Sequence, residues 1–350
     1  MLSVSVNLVT YNGRRFIENC LKSVLRQTYP KVEILIIDNA SQDNTVLMAQ
    51  EIIGKENPKF PVRIIKNEKN LGFSAGHNLG IKESRGELVV CLNQDVVLVP
   101  DFIEKAVEFF EKNGQTEIAA LQPKLLRLDK ELQPSSIIDT TGLVMLKNRR
   151  IISRGQGQKD EGQYGNIEEV FGADGAAPVY KRDALEDVKI NVKCQMSNVK
   201  TADGEYFDED FFAYKEDVDL SWRLRLAGWK IFYVPKVIAW HGRSAGDSTA
   251  TNYFAIIRER LKISKFAKYV AFKNQRLMQI KNEQLFLLLK HLPRFLVKEI
   301  SSWTYVILFE RFTWSAIRDL FRQAPRAFQK RKIIMESRRA SVNEMGKWFI

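Results

Sequence analysis

Two aspartates, Asp38 and Asp95, each stand at the end of an apolar run of strand length, Val32-Glu-Ile-Leu-Ile-Ile37 and Leu88-Val-Val-Cys-Leu-Asn-Gln94. A carboxylate at a strand end faces the crevice in which α/β sheets bind ligands. Hard divalent ions prefer such oxygens, and Mg2+ usually shares one or two carboxylates with substrate phosphate, so Asp95 reads as a metal ligand. Asp38 is available for a base or a ribose. The plain alternatives are a turn residue for Asp95 and a capping or turn acid for Asp38. His241 lies outside any periodic apolar pattern, at the end of a later strand, where it could complete a metal site. The densest acidic cluster is Phe207-Asp-Glu-Asp-Phe-Phe-Ala-Tyr-Lys-Glu-Asp-Val-Asp219. A helix N-terminus accounts for one or two of these acids. Their place directly after an aromatic, strand-like run suits a carboxylate that projects into a cleft as a general base.

The position of Asp38 also matches the ribose-binding acid of a dinucleotide fold. That reading needs Gly-x-Gly-x-x-Gly in the first turn, where this chain has Tyr11-Asn12-Gly13-Arg14-Arg15-Phe16. No Walker-type loop replaces it. The charge of a bound nucleoside diphosphate would therefore be met by a metal or by basic side chains.

The elements that must position these residues are legible in the periodicity. Val4, Val6 and Leu8 alternate, and Phe16, Ile17, Cys20, Leu21, Val24 and Leu25 follow at helical spacing. A helix starting near Ser41 or Asp43 follows the second strand. Val62-Arg-Ile-Ile65 is a third strand, a helix runs through Ala75 to Ser84, and Glu87 to Leu92 is the fourth strand. Such alternation implies a mostly parallel sheet covered on both faces. After a helix from Pro100 to Asn113 the pattern loosens. The stretch from Ser153 to Asn166 reads as a mobile loop, and that from Lys189 to Gly204 as an insertion. A helix from about Val218 to Ala227 ends at Gly228. Trp229 to Val234 and a short strand to Trp240 then lead into His241.

With 350 residues the chain can bury a sizeable core, and three widely separated cysteines, Cys20, Cys91 and Cys194, make neither a disulfide framework nor a zinc site. The N-terminus lacks the pattern of a signal peptide. The apolar stretch from Leu285 to Phe309 is interrupted by Lys290, Arg294, Lys298 and Glu299, which predicts no transmembrane helix. The net charge of +12 is unevenly placed: residues 251–350 carry 21 Lys and Arg against 7 Asp and Glu, whereas the first 250 carry 33 against 35. A basic, helical, amphipathic tail favours an anionic membrane surface or nucleic acid. No nucleic-acid module accompanies those charges, so nucleic acid ranks last.

Six pieces taken together are specific in order and spacing: Val9-Thr-Tyr-Asn12, Ile37-Asp-Asn-Ala-Ser-Gln-Asp-Asn-Thr45, Asn70-Leu-Gly-Phe-Ser-Ala-Gly-His-Asn78, Leu92-Asn-Gln-Asp95, Gly172-Ala173, and Glu216-Asp-Val-Asp-Leu-Ser-Trp-Arg-Leu-Arg-Leu-Ala-Gly-Trp229. Through them the sequence from Val4 to about Ser244 resembles glycosyltransferase family 2, and within it the rhamnosyltransferase branch. The resemblance implies an α/β GT-A fold, with a mostly parallel, Rossmann-like central sheet over residues 1–250 and a helical appendage over 251–350. It implies a metal-dependent, inverting hexosyltransferase of cell-wall polysaccharide biosynthesis. Thr10, Tyr11 and Asp38 would hold the base and ribose of a dTDP- or UDP-linked donor, with Asn70, Gly72 and Asn78 shaping that pocket and Asn93 beside it. Asp95, with His241 as a further ligand, would bind Mg2+ or Mn2+, and Asp217 would be the catalytic base. The expected donor is dTDP-rhamnose and the expected acceptor a lipid-linked or cell-surface glycan. The chain would lie on the cytoplasmic face of the membrane through its tail.

The family's metal motif is usually Asp-x-Asp, and Asn93 replaces its first acid. Asn93 offers a carbonyl oxygen without charge. The alternative reading, a noncatalytic sugar-nucleotide or polysaccharide-binding protein of the same fold, rests on that replacement alone.

Overall fold

The computed structural model spans the chain and describes residues 1–114, 117–191, 204–243 and 253–350. Most of the polar segment from Lys189 to Gly204, including Cys194, and the boundary expected at residue 250 lie outside the described residues.

The first part alternates strand and helix: β1 (Val4–Thr10), α1 (Ile17–Leu25), β2 (Val32–Asp38), α2 (Thr45–Glu56), β3 (Val62–Lys66), α3 (Gly72–Glu83) and β4 (Leu88–Asn93). A tight turn at Gln94 and Asp95 leads into β5 (Val96–Leu98) and α4 (Phe102–Lys112). Then come β6 (Ile118–Leu128), β7 (Pro134–Thr140), β8 (Leu143–Met145), β9 (Ile151–Ser153), β10 (Glu168–Glu169), β11 (Val179–Lys181), α5 (Arg182–Asp187), α6 (Glu216–Leu226) and β12 (Lys230–His241). The main sheet has the order β10-β12-β6-β11-β4-β1-β2-β3. Strands β3, β2, β1 and β4 run parallel, β11 is antiparallel between β4 and β6, and β12 is parallel to β6. From β1 the chain winds to β2 and β3 on one side and returns to β4 on the other. The carboxyl ends of β1 and β4 therefore flank a topological switch point.

Alternation along β1 sets the two faces. Val4, Val6 and Leu8 are buried with Ile17, Cys20, Leu21 and Val24 of α1. On the opposite face α3 lies close, because its glycines leave room: a Cβ on Gly80 would come within 2.9 Å of Asn7 Cγ, and one on Gly76 within 3.0 Å of Val9. Two details differ from the sequence reading. The stretch from Ser153 to Asn166 is tied to the sheet by backbone bonds, Ile138 N to Gln158 O at 2.8 Å, Gly157 N to Ile138 O at 2.9 Å and Asp160 N to Ser136 O at 2.7 Å. Such bonds leave no trace in residue type. The two strands expected before His241 are one strand whose register shifts between Val234 and Ile238, where Pro235 lacks a ladder N–H.

Beyond residue 252 the chain forms α7 (Tyr253–Lys262), α8 (Lys265–Asn282), α9 (Leu285–Lys290), α10 (Leu292–Phe309), α11 (Trp314–Glu336) and α12 (Val342–Gly346). Among the described residues no helix is long and apolar enough to cross a membrane. These helices share a core with the sheet domain: Met145, Phe171, Phe211 and Trp222 pack with Leu277, Met278, Leu320 and Phe349. Part of the tail's positive charge is internal. Lys281 and Lys330, both wholly buried, meet Asp208, and Lys281 lies 2.8 Å from Asp219 while Lys330 lies 2.5 Å from Glu205 and 2.8 Å from Asp210. Burial alone would push the Asp208 carboxyl up, but the two ammonium groups outweigh it and hold it well below the ordinary range. Removing one partner of such a network leaves a buried charge short of compensation. Lys281→Met is therefore expected to destabilise the protein by about 3 kcal/mol or more in urea unfolding, and a loss under about 1 kcal/mol would contradict this assignment.

Candidate active site

The crevice begins at the carboxyl end of β1. Thr10 Oγ1 donates to Gln94 Oε1 at 2.6 Å, the Tyr11 amide donates to the same oxygen at 2.9 Å, and Gln94 Nε2 donates to Tyr11 O at 3.1 Å. One glutamine thus fastens the Thr10-Tyr11 corner to the turn that carries Asp95. Gly13 is required beside it, since a Cβ there would fall 2.1 Å from Gln94 Oε1. The Tyr11 ring is left exposed. Thr10 pairs in register with Asp38 across β1 and β2. Asp38 is buried; its Oδ2 accepts from Ser41 N at 3.1 Å, and its Oδ1 has no protein partner. A buried carboxylate oxygen without a donor is costly unless a ligand supplies one.

Asn70 and Gly72 shape the wall beyond Asp38. Asn70 Oδ1 accepts from Gly72 N at 2.8 Å, and Asn39 Nδ2 donates to Gly72 O at 3.0 Å. Gly72 has φ +79 and lies so close to Phe212 that a Cβ would sit 2.4 Å from its carbonyl oxygen. Asn78 differs from the expectation of a pocket residue. Its amide donates to Phe207 O at 2.8 Å and Glu209 Oε1 at 2.9 Å, and its oxygen accepts from the amides of Tyr206 at 3.2 Å and Phe207 at 2.8 Å. Asn78 is buried and fastens the acidic segment to α3, with no group left to face the crevice.

The antiparallel register of β5 and β12 sets His241 against Val96, and Gly242 N donates to Asp95 O at 2.7 Å. His241 Nε2 consequently lies 3.5 Å from Asp95 Oδ1. The other ring nitrogen, Nδ1, is 2.8 Å from Asp139 Oδ2, and Arg243 holds the same carboxylate at 3.0 and 3.1 Å. An ionised carboxylate only accepts, so Nδ1 carries a proton, and Nε2, which faces Asp95, carries one as well that an incoming ion would displace. Burial would lower the His241 pKa, but Asp95 and Asp139 outweigh it and raise it well above the ordinary value. A carboxylate oxygen and an imidazole nitrogen oriented by a second carboxylate form a donor pair suited to Mn2+ or Mg2+. Their 3.5 Å separation is near the roughly 3 Å between adjacent ligands of one octahedral ion. Among the described residues no set of three His, Cys, Asp or Glu side chains surrounds one point. Such an ion would need further ligands from substrate phosphate and water. Asn93 lies at the end of β4, where its backbone N–H donates to Ala176 O at 2.9 Å.

The acids of the 216–219 cluster separate by environment. Asp219 is wholly buried, 3.0 Å from Arg223 Nε and 2.8 Å from both Lys281 Nζ and Asn282 Nδ2. Asp217 is partly exposed, and its carboxylate accepts from Gly175 N at 3.1 Å and Val218 N at 2.8 Å. Burial and the negative charge of Asp174 push its carboxyl up to about 6, against the opposing effects of Lys215 and these two amides. A carboxylate of this basicity in a cleft suits a general base near neutral pH. The contact with Gly175 also links Asp217 to β4 through Ala176 and Asn93. The segment ahead of it is strained: Phe212, Tyr214 and Lys215 have φ of 64, 65 and 78. Each left-handed L-residue costs roughly 1–2 kcal/mol.

Gln94 lies inside the matched piece Leu92-Asn-Gln-Asp95 but had no role assigned from sequence, and Asp139 and Asp174 lie in no matched piece. The one available signal for Asp139 is an acid inside the apolar strand Ile137-Ile138-Asp139, where a wholly buried charge requires a partner.

The model of Glycosyl transferase family 2 matches residues 5–188. Poly-beta-1,6-N-acetyl-D-glucosamine synthase of Staphylococcus epidermidis is 28% identical over 237 residues, 68% of this chain and 49% of the relative. The same enzyme of Staphylococcus aureus strain COL is 28% identical over 233 residues, 67% of this chain and 48% of the relative. The chain spans about half the length of the curated relatives it matches. Among solved structures, S. aureus TarS 1-349 in complex with UDP superposes with a TM-score of 0.54 at 17% identity, covering 96% of this chain and 91% of that one. The mannosyltransferase PcManGT from Pyrobaculum calidifontis, in complex with GDP-Man and Mn2+, gives 0.51 at 14% identity, covering 99% and 87%. These likenesses, with the sheet order and the helical C-terminal region, show the GT-A fold. By its matched motifs and its fold, this chain belongs to glycosyl transferase family 2.

Proposed function

We propose that the chain transfers a hexose from a nucleoside diphosphate sugar to a hydroxyl of a glycan acceptor in one displacement that inverts the anomeric carbon. The observation that carries this reading is the convergence on one crevice of Asp38, with its unpartnered oxygen, the Asp95–His241 pair and the raised carboxylate of Asp217. Thr10, Tyr11 and Asp38 take the base and ribose, with Asn70 and Gly72 forming the adjoining wall. Asp95 and His241 hold Mg2+ or Mn2+, which when bound neutralises charge on the departing diphosphate. Asp217 accepts the proton of the acceptor hydroxyl as its oxygen attacks the anomeric carbon, and the nucleoside diphosphate leaves from the opposite side. The resemblance to the rhamnosyltransferase branch favours dTDP-rhamnose as the donor. UDP sugars are the second class to test, because TarS was solved with UDP.

The acceptor we propose is lipid-linked, met at the cytoplasmic face of a membrane. Leu285, Phe286 and Leu289 of α9 are 65%, 63% and 57% exposed, beside the exposed Lys290 and Arg294. Leu308 and Phe309 at the end of α10 are 61% and 71% exposed, beside Arg311. Apolar side chains interleaved with cations suit an anionic lipid surface.

Four measurements test these assignments. Nucleoside diphosphate release from dTDP-rhamnose or a UDP sugar should fall about a hundredfold or more in Asp217→Asn, which would exclude a merely binding role. The base must be ionised to work, so wild-type kcat should fall as pH drops through about 6; a profile flat from about pH 5 to about pH 7 would remove Asp217 from the role. Thermal stabilisation by dTDP or UDP should depend on Mn2+ or Mg2+ and be lost in Asp95→Ala, amounting to about 2.7 kcal/mol at a hundred times Kd; stabilisation independent of metal would count against the ion site. Vesicles of anionic phospholipid should retain the full chain and lose at least about tenfold in affinity for the Phe286→Ser/Leu289→Ser variant. Equal binding would exclude this surface.

A further inference from the structure

We infer that Asn274, on the helix α8 outside the matched family region, positions the catalytic base by clasping the strained segment that precedes it; this rests on the reading of Asp217 as base. Asn274 is wholly buried, and its two Nδ2 hydrogens are shared among Phe211 O at 2.9 Å, Ala213 O at 2.9 Å and Tyr214 O at 2.7 Å, one of them bifurcated. Backbone turning through left-handed φ at Phe212, Tyr214 and Lys215 directs several carbonyls to one side. A primary amide is a compact group that can donate to a cluster of such acceptors. Strained conformations persist only where their surroundings over-determine them, and here the surroundings come from the C-terminal helices. Lys273 Nζ donates to Asp210 O at 2.6 Å, and the Phe212 and Phe266 rings meet edge to face at 5.9 Å.

The same helix also holds the chain on the other side of Asp217. Two turns beyond Asn274, Lys281 and Asn282 both reach Asp219 at 2.8 Å. Asp217 therefore sits between two anchorages on one helix face, one through backbone carbonyls and one through a buried carboxylate. The clasped segment also abuts the donor side of the crevice, since Ser74 N donates to Phe212 O at 3.2 Å at the start of α3. A shift of this segment would move Asp217 relative to Gly175 and to the donor wall together. Displacements of about 1 Å from such a cause can cost about a hundredfold in rate.

The test is the full chain carrying Asn274→Ala, with kcat, KM and the pH profile read from nucleoside diphosphate release from dTDP-rhamnose or a UDP sugar. We expect kcat to fall by about tenfold or more with the donor KM changed by less than about twofold, and the limb near pH 6 to be displaced. Tyr214→Gly in the Asn274→Ala background should restore part of the loss, because glycine adopts φ +65 without strain. Arg276→Met, on the same helix as Asn274, supplies the control for a purely structural effect: it breaks a buried pair with Glu299 of α10 without removing a bond to the clasped segment, and should lower stability while leaving the pH profile in place. If Asn274→Ala fails to fold, Asn274→Ser, which keeps one donor, should show the same changes at smaller size. An unchanged kcat and limb in Asn274→Ala, or equal changes in Arg276→Met, would overturn the inference. Retention of the limb in Asp217→Asn would instead overturn the base assignment on which it rests.

Discussion

The structure depends on how a concentration of carboxylates is made tolerable inside a fold. Glu205, Asp208, Asp210 and Asp219 are gathered within 15 residues of chain that must also present Asp217 to the crevice. Buried carboxylates without countercharge would protonate or unfold the segment. Lys281 and Lys330 supply the charge from two different helices of the C-terminal region, and both are wholly buried. The C-terminal helices are thus part of the machinery that holds the acidic segment, and they present a separate apolar and basic face to the outside.

The crevice follows from sheet order and register. A strand order that reverses between β1 and β4 places the corner at Thr10 and Tyr11 beside the turn at Gln94 and Asp95. Pairing of β5 with β12 brings a residue almost 150 positions later, His241, to the same turn. Gly13, Gly72 and Gly175 sit where the backbone passes close to Gln94, Phe212 and Asp217. At Gly175 the close approach lets the backbone amide hold the Asp217 carboxylate.

Much of this was legible in the residues. The period-2 and period-3.6 patterns of the first hundred residues give the four parallel strands in order, and the strand-end acids Asp38 and Asp95 lie where those patterns end. Residue types alone did not say which acid of the 216–219 cluster faces out; the family resemblance pointed to Asp217, and burial separates it from Asp219. Asn78 looked like a pocket residue because it closes a conspicuous motif, yet its amide is fully engaged by Tyr206, Phe207 and Glu209. The roles of Asp139 and Asn274 depend on contacts more than 50 positions away in sequence. The charge count of the tail was correct, but a sum of charges does not distinguish a lysine in a core ion pair from one beside a lipid surface.

The central claim is that one crevice holds a nucleoside diphosphate through Asp38 and a divalent ion through Asp95 and His241, facing Asp217. Anomalous diffraction from crystals of the full chain grown with UDP or dTDP and Mn2+ tests it most directly. A manganese peak in contact with both Asp95 and His241 Nε2, with the nucleoside against Asp38, is the expected result. A nucleotide bound there with no manganese peak, or a peak remote from Asp95, would contradict it.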